Sequence, residues 1–515
     1  MQKLIRNIFR RSPDSFMVPP KSTGAHEEGS FAKSQFYPRF EEGLSAEKTA
    51  NQSEMALSFY SWLHMVAPAF PVNADKIRIL NEPSEFYETL VNKCSNAHTR
   101  ITFSSLYLGT GDLEKALVET IKKRLVDLQG QLKVTLLFDH CRGSRGAINS
   151  RSMVAPLLQE HPSSVQVSLY HTVALRGFLR FILPQRFNEV VGLQHMKLYI
   201  FDDSLIISGA NLSHDYFTNR QDRYIVIEDC ADLADFYANL IQQVSEFSFN
   251  LLPNGSTTLH PSWSQACHPF EGDKQMFIEE ARQRVRKSFF SSMSKTDNAA
   301  VKKKADTWVF PLIQMGQLEI HHDSEVTLGL LERSPTGSHV YLATGYFNLP
   351  KMYMDTILEK SKATFTVLTA HPSTNGFLNA NGVAGGIPAL YTQLAKEFFN
   401  KACKLQQQDR VEIKEYIRPG WTYHGKGLWL TLPGQKFPSL SLVGSPNFGS
   451  RSIDRDLETQ IAVVTSNPSL QKRLQEERDR LYEKGIVATK STFSKEERLV
   501  PFWVLCVSRL FRRLF

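Results

Sequence analysis

From about residue 55 the chain alternates short apolar runs with stretches of helical periodicity, the pattern of strand–helix units that build parallel sheets. Lys76–Leu80 reads as a strand. Pro83–Asn96 reads as a helix, with proline near its start and Phe86, Leu90 and Val91 on one side. Ile101–Leu108 is the next strand, a helix follows from Leu113, and Lys133–Asp139 and Ser164–Tyr170 are two further strands. The same order recurs after about residue 305. Leu318–Ile320 precedes a helical stretch, Val340–Phe347 echoes 101–108, Phe365–Thr369 answers 133–139, and Arg410–Tyr416 answers 164–170. Agreement in order and type predicts an internal duplication, with halves at 55–252 and 305–488. Between them, 253–304 holds a Pro/Ser/His-rich piece, a basic helix over Lys274–Lys287 and a Ser/Lys-rich linker.

Each half then carries a matching polar insertion. The first is Gln194-His195-Met196-Lys197, running into Leu198–Phe201 and Asp202, then Ser208-Gly209-Ala210-Asn211. The second is His424-Gly425-Lys426-Gly427, running into Leu428–Leu430, then Gly444-Ser445-Pro446-Asn447. Alternate residues of a strand share a face, so each histidine projects beside its lysine, and the asparagine of the turn adds an amide. A bare His-x-Lys arises by chance about once in a chain of this size. Here the two are the only ones among 15 histidines, and both lead to the same kind of turn. The tails agree as well: Asp222 lies eleven residues after Asn211, Glu458 eleven after Asn447, and each enters an apolar strand. One such set can hold a phosphate; two facing sets can do chemistry on one. A neutral imidazole attacks phosphorus and a protonated one releases the leaving group. Lys197, Lys426, Asn211 and Asn447 would neutralise and hydrogen-bond the non-bridging oxygens, while Asp222 and Glu458 orient the rings. Two lysines in that role leave the chemistry needing neither metal nor cofactor.

At these residues the chain resembles the phospholipase D superfamily, whose signature is His-x-Lys-x4-Asp followed by Gly-Ser-x-Asn, twice. The first block fits His-x-Lys-x4-Asp in full, with Ser-Gly-Ala-Asn as its turn. In the second, Thr431 stands where Asp would be and Gly-Ser-Pro-Asn is intact. The resemblance implies that Asp202 steadies the motif lysine. It also implies an α/β architecture: a duplicated phospholipase D-type fold, two pseudo-twofold-related mixed or parallel sheets flanked by helices, with one shared active site. Within the superfamily, Ser104–Glu114, Arg142–Gly146, Ala343–Asn348 and the second His-x-Lys block are similar to the mitochondrial phosphatidylglycerophosphate synthases, across most of 55–485.

That similarity implies transfer of a phosphatidyl group from CDP-diacylglycerol to glycerol 3-phosphate, with His195 as nucleophile and His424 as acid, then base. Bacterial phosphatidylserine synthases are related rivals. A phosphodiesterase that uses water needs nothing different in the motifs, and a non-catalytic lipid-binding module would not need both His–Lys pairs. Arg142, Arg145 and Arg151 follow a strand end, where such sheets place ligands, and are candidates to grip substrate phosphates; a solvated basic loop is the alternative. Tyr107 and Tyr346 are candidate substrate contacts. Gly109-Thr110-Gly111 has no Gly-Lys-Ser/Thr after it and reads as a strand-to-helix turn beside the groove rather than a nucleotide-phosphate loop.

Composition adds a partner class. A net charge of +8 suits an anionic phospholipid surface, a nucleotide or nucleic acid; the resemblance selects the membrane and not nucleic acid. The six cysteines include no C-x-x-C, which argues against a disulfide scaffold or zinc module and reads as small buried side chains. Residues 1–54 read as a targeting segment and disordered lead-in, because Met1–Arg11 is basic, acid-free and amphipathic. No internal run reaches the length of a membrane span. The tail, 489–515, mixes Leu499, Phe502, Trp503, Val504, Leu505 and Phe511 with Arg509, Arg512 and Arg513, which suits a helix in a membrane interface. A mitochondrial protein peripheral to the inner membrane is expected. The oligomeric state is not legible in the sequence.

Overall fold

Local apolar patterning turns each half into one nine-stranded mixed sheet. The computed structural model describes residues 57–182, 191–295, 305–378, 380 and 385–505, all within the compact unit Leu44–Phe515. The expected targeting segment and the tail residues Arg509, Phe511, Arg512 and Arg513 lie outside the described residues.

After β1 (Phe70–Pro71), the first half supplies β2 (Ile77–Leu80), β3 (Arg100–Ser104), β4 (Lys133–Asp139), β5 (Val165–Tyr170), β6 (Leu198–Phe201) and β7 (Ser204–Ser208). It continues with β8 (Arg220–Gln221), β9 (Tyr224–Ile227), β10 (Phe249–Leu251) and β11 (Thr257–Leu259). The second half supplies β12 (Thr307–Met315), β13 (His339–Thr344), β14 (Thr364–Ala370), β15 (Val411–Tyr416) and β16 (Thr422–Tyr423). Its remaining strands are β17 (Gly427–Thr431), β18 (Leu440–Gly444), β19 (Leu457–Thr465) and β20 (Gly485–Val487). The first sheet runs β11-β10-β5-β4-β3-β6-β7-β9-β2, and the second β20-β15-β14-β13-β17-β18-β19-β12-β1. From β5 to β2 and from β15 to β12 the two orders match strand for strand, so the duplication predicted from the pattern is present as topology.

Two differences from the pattern have physical causes. The strands read as 101–108 and 340–347 stop at Ser104 and Thr344. At those ends the Ser105 and Thr344 hydroxyls donate to the carbonyls of Tyr107 and Tyr346, at 3.1 and 3.0 Å, and turn the chain aside. The pattern places 318–320 ahead of the helical stretch, whereas the strand there is β12, Thr307–Met315, which holds Pro311. Proline is tolerated because β1 covers the outer edge of β12 only at Trp308 and Val309, so the missing N–H interrupts no ladder there. That pairing also laces Phe70–Pro71, from the first half's lead-in, onto the second half's sheet.

Side chains alternate between two cores, as period two requires. Tyr199, Phe201 and Val226 face a core with Phe86 and Leu117 from the helices Pro83–Asn96 and Asp112–Asp127. Leu198, Ile200 and Ile225 face the other way, into a cluster shared with Val443, Ile461 and Val463 of the second sheet. One apolar core therefore spans both halves.

A buried ion pair crosses the same boundary. Arg223 donates through Nε and Nη2 to the two carboxylate oxygens of Glu477, at 2.8 Å each. It also donates to the Leu442 carbonyl and the Ser441 hydroxyl, both at 2.8 Å, and its guanidinium lies 3.7 Å from the Trp429 ring centroid. Trp429 Nε1 completes the carboxylate's set at 3.0 Å. Gly427, at φ 132°, is required here twice over: a Cβ would run into Arg223 Nη1 and the Leu442 carbonyl. Breaking a buried pair leaves an uncompensated charge. Glu477→Ala is therefore expected to lower stability by about 3–5 kcal/mol, read from urea denaturation, whereas Arg223→Met with Glu477→Leu together lose much less. Equal losses for the single and the double variant would contradict this role.

Candidate active site

The two motif histidines are placed by backbone pairing between the halves. The His195 N–H donates to the Leu457 carbonyl and the His424 N–H to the Gln221 carbonyl, both at 2.8 Å. Gln194 bridges Leu457 in parallel, and β16 pairs with β8 in parallel. Each histidine is thereby set against the residue that precedes the other half's acid. The side chains follow. His195 Nδ1 donates to Glu458 Oε2 at 2.9 Å, and His424 Nδ1 donates to Asp222 Oδ2 at 2.6 Å. Because a carboxylate can only accept, Nδ1 carries the proton in the His195 ring and Nε2 keeps the reactive lone pair; His424 Nδ1 meets Lys426 Nζ at 2.6 Å as well as Asp222.

The lysines complete the set. Lys426 Nζ lies 3.2 Å from Asp222 Oδ2, and Lys197 Nζ donates to the His195 carbonyl at 2.7 Å. Burial pushes His195 well below the ordinary imidazole value and His424 down to about 3, and Lys197 and Lys426 add to the effect. Both rings are therefore neutral at rest. Burial also lowers both lysines, opposed by Glu458 at Lys197 and by Asp222 at Lys426. Burial would raise Asp222, but the Lys426 charge and the hydrogen bond from His424 hold it below the usual carboxylate range. Glu458 is raised by burial, with Lys197 opposing. A bound phosphate supplies the anion that favours charged lysines. The side-chain oxygens of Asn211 and Asn447 are buried without a partner among the described residues, in equivalent turns of the two halves.

The turn Ser208-Gly209-Ala210-Asn211 departs from Gly-Ser-x-Asn for a steric reason. A Cβ on Gly209 would collide with Lys426 Nζ and the Asp222 carboxylate, so the smaller residue makes room for the opposite half's lysine and its paired acid. In the second turn Ser445 exchanges hydrogen bonds of 3.1 Å with the Thr459 backbone; its hydroxyl braces the turn on β19.

The implied role of Asp202 does not hold. β6 separates it from Lys197, a run of about 17 Å at strand rise. Its carboxylate accepts the N–H groups of His98, Thr99 and Arg100 and the Thr99 hydroxyl, at 2.7–3.0 Å. Asp202 sits at φ 48° in the tight turn from β6 to β7, which it staples to β3. Thr431 in the second half is still paired within β17, opposite His339, and a longer connection follows, so no staple is needed there.

Arg142 stands over Tyr107, its guanidinium 3.9 Å from the ring centroid; Tyr107 in turn meets the Ser213 hydroxyl at 3.1 Å. Arg145 follows in the same loop, its N–H on the Arg142 carbonyl. Arg151 points elsewhere, to the Ser144 hydroxyl and the Gly255 carbonyl. Tyr346 stacks on Tyr391 at 5.4 Å and meets the His424 ring edge to face at 5.4 Å. Between Gly109 and Gly111 lies the buried carboxylate of Glu114, which also accepts the His214 N–H at 2.7 Å. An acid fills the place a phosphate would take, in keeping with a structural turn.

Four residues of the site were not singled out from sequence. The Tyr216 hydroxyl reaches His424 Nε2 at 3.3 Å, and Arg220 lies over the Tyr216 ring at 4.7 Å. Ser452 donates to Glu458 Oε1 at 2.8 Å. Asp456 is paired with Arg451 at 3.0 Å and accepts the Leu193 N–H at 3.0 Å. Tyr216 and Ser452 each lie five residues after a motif asparagine, a repeated offset that would have pointed to both. His195, Asp456 and Glu458 offer ligand atoms within 4.8 Å of one another, but both carboxylates already hold the partners just described.

No family model matches the chain. Curated relatives do. It is 44% identical over 481 residues to the mitochondrial CDP-diacylglycerol–glycerol-3-phosphate 3-phosphatidyltransferase of Homo sapiens, covering 88% of this chain and 86% of that one. It is 33% identical over 435 residues to the Saccharomyces cerevisiae enzyme of that name, covering 80% and 82%. In fold it is similar to the crystal structure of Haemophilus influenzae phosphatidylserine synthase, with a TM-score of 0.66 at 20% identity over 90% of this chain and 98% of that one. With the duplicated fold and both His–Lys sets in place, the chain belongs to the CDP-diacylglycerol–glycerol-3-phosphate 3-phosphatidyltransferase family.

Proposed function

We propose that this chain moves the phosphatidyl group of CDP-diacylglycerol onto glycerol 3-phosphate through a phosphohistidine at His195, releasing CMP and forming phosphatidylglycerophosphate. One asymmetry supports the division of labour. His424 Nε2 already meets the Tyr216 hydroxyl, whereas among the described residues His195 Nε2 has no hydrogen-bond partner. A neutral, oriented imidazole with an open lone pair is the better nucleophile.

In the first step His195 Nε2 bonds to the phosphorus attached to diacylglycerol as the P–O bond to CMP breaks. The electron pair leaves with CMP, whose phosphate has a second pKa near 6, so departure asks little of an acid. His424 takes up a proton from solvent at Nε2 as the anionic substrate binds and gives that proton to the departing oxygen. In the second step a hydroxyl of glycerol 3-phosphate attacks the phosphorus, its proton passes to His424, and the P–N bond breaks. Lys197, Lys426 and the amides of Asn211 and Asn447 face the oxygens on which charge builds. Arg142 and Arg220 are cations suited to the remaining phosphates.

The chain is mitochondrial by kinship with relatives so named, and we place it on the inner membrane, since its lipid substrate stays in a bilayer. Among the described residues no helix is long and apolar enough to cross a membrane. The start of the tail is held to the protein: Arg498 pairs with Glu415 at 2.6 and 2.9 Å and Val504 is buried, while Leu499 and Phe502 are 69% and 79% exposed. Trp503 packs on Gly386, the residue before the helix Ile387–Lys404, whose Tyr391 stacks on Tyr346. The exposed apolar residues thus neighbour the start of a helix that reaches the site, a suitable place for a lipid surface.

Supplied with CDP-diacylglycerol, the protein is expected to make phosphatidylglycerophosphate with glycerol 3-phosphate and little product with serine or water alone. His195→Ala should lower kcat by at least about 10⁴-fold and His424→Ala by about 10²–10⁴-fold. Phosphatidylserine or phosphatidic acid as the main product would overturn the assignment. For the membrane reading, each large apolar side chain buried in lipid contributes about 1.5–3 kcal/mol. Leu499→Glu with Phe502→Glu should then weaken sedimentation with anionic liposomes at least about tenfold, with turnover on detergent-dispersed substrate retained. Unchanged sedimentation would move the docking surface elsewhere.

A further inference from the structure

The parallel register of β4 and β5 pairs Asp139 with Tyr170, so the next residues, His140 and His171, leave the sheet side by side. Their rings meet edge to face at 5.2 Å. Cys141 follows in the short helical turn His140–Gly143. One ligand atom from each of His140, Cys141 and His171 lies within 4.8 Å of the others. This is the carboxyl edge of parallel strands, where α/β sheets carry ligands. The other half does not repeat it. There the equivalent pair, Ala370 with Tyr416, is followed by His371 and Ile417, with proline after the histidine. The scaffold therefore does not require these three side chains.

We propose that His140, Cys141 and His171 form a binding site for a zinc-type transition-metal ion. His171 Nδ1 meets the Thr172 carbonyl at 2.9 Å; a carbonyl only accepts, so Nδ1 donates and Nε2 keeps the lone pair a metal needs. A backbone carbonyl behind a histidine is the usual way a metal ligand's tautomer is held. Two imidazoles and a thiolate select zinc or a similar borderline ion over magnesium or calcium, which take oxygen ligands. The neighbouring carboxylate is engaged: Asp139 accepts the N–H groups of Arg142 at 2.8 Å and Gln194 at 3.1 Å. Tetrahedral zinc, with Zn–S about 2.3 Å and Zn–N about 2.0–2.1 Å, spaces its ligand atoms about 3.3–3.6 Å apart. The cluster closes onto an ion by drawing in about 1 Å, through the half-buried side chains of His140 and Cys141. Cys141 binds as thiolate and releases its proton to solvent, and the fourth position remains for water.

The test titrates the reduced, metal-free full-length protein with cobalt(II), then competes with zinc. The expected result is one equivalent bound per chain, a thiolate-to-cobalt charge-transfer band, and loss of that band on adding one equivalent of zinc. Cys141→Ser should abolish the band. His140→Ala and His171→Ala should each weaken binding by on the order of 100-fold, and circular dichroism of each variant checks its fold. His195→Asn should bind as the unaltered protein does, which separates this cluster from His195, Asp456 and Glu458. A band that is missing from the unaltered protein, or that survives Cys141→Ser, overturns the proposal.

Discussion

Each motif imidazole is oriented by a carboxylate from the opposite half, His195 by Glu458 and His424 by Asp222. Neither half carries a complete set: each contributes a histidine, a lysine and an asparagine to one side of the site and the orienting acid to the other. The remaining structure keeps this exchange in register. Parallel backbone contacts at Gln194–Leu457 and Tyr423–Gln221 fix the heights of the rings. The Arg223–Glu477 pair begins one residue after Asp222, so the buried bolt between the halves and the acid that orients His424 share a strand entry. A shift of one residue in that strand would turn both to the wrong face.

The local part of this was legible in the sequence. Lys133–Asp139 and Pro83–Asn96 form where their own periodicity puts them, because burial on one face is written in neighbouring residues. The His-x-Lys pairs were equally plain. What escaped is non-local. Nothing near Asp222 says that its partner is His424 rather than His195, and nothing near Arg223 distinguishes a buried, fully bonded arginine from a surface one. Tyr216 reads as an ordinary core aromatic until the second half brings His424 against its hydroxyl. His140, Cys141 and His171 likewise carry no metal-binding spacing in sequence, since strand register is what joins them.

The two departures from the superfamily pattern become intelligible through the same geometry. Gly209 replaces serine because Lys426 and Asp222 occupy the space of its side chain. Asp202 is a hairpin staple at the far end of β6, so the threonine at 431 removes nothing from the phosphate site. A motif position shared across a family thus need not be a position of the chemistry; here one such aspartate serves the fold.

The shared site is tested most directly by trapping its covalent intermediate. His424→Ala protein, mixed with CDP-diacylglycerol labelled in its lipid phosphate and quenched in alkali, which spares phosphohistidine, would be digested and the labelled peptide mapped. One phosphatidyl group per chain, attached to His195, is the expected result. Label on any other residue, or two groups per chain, would contradict a single site built from both halves with His195 as its nucleophile.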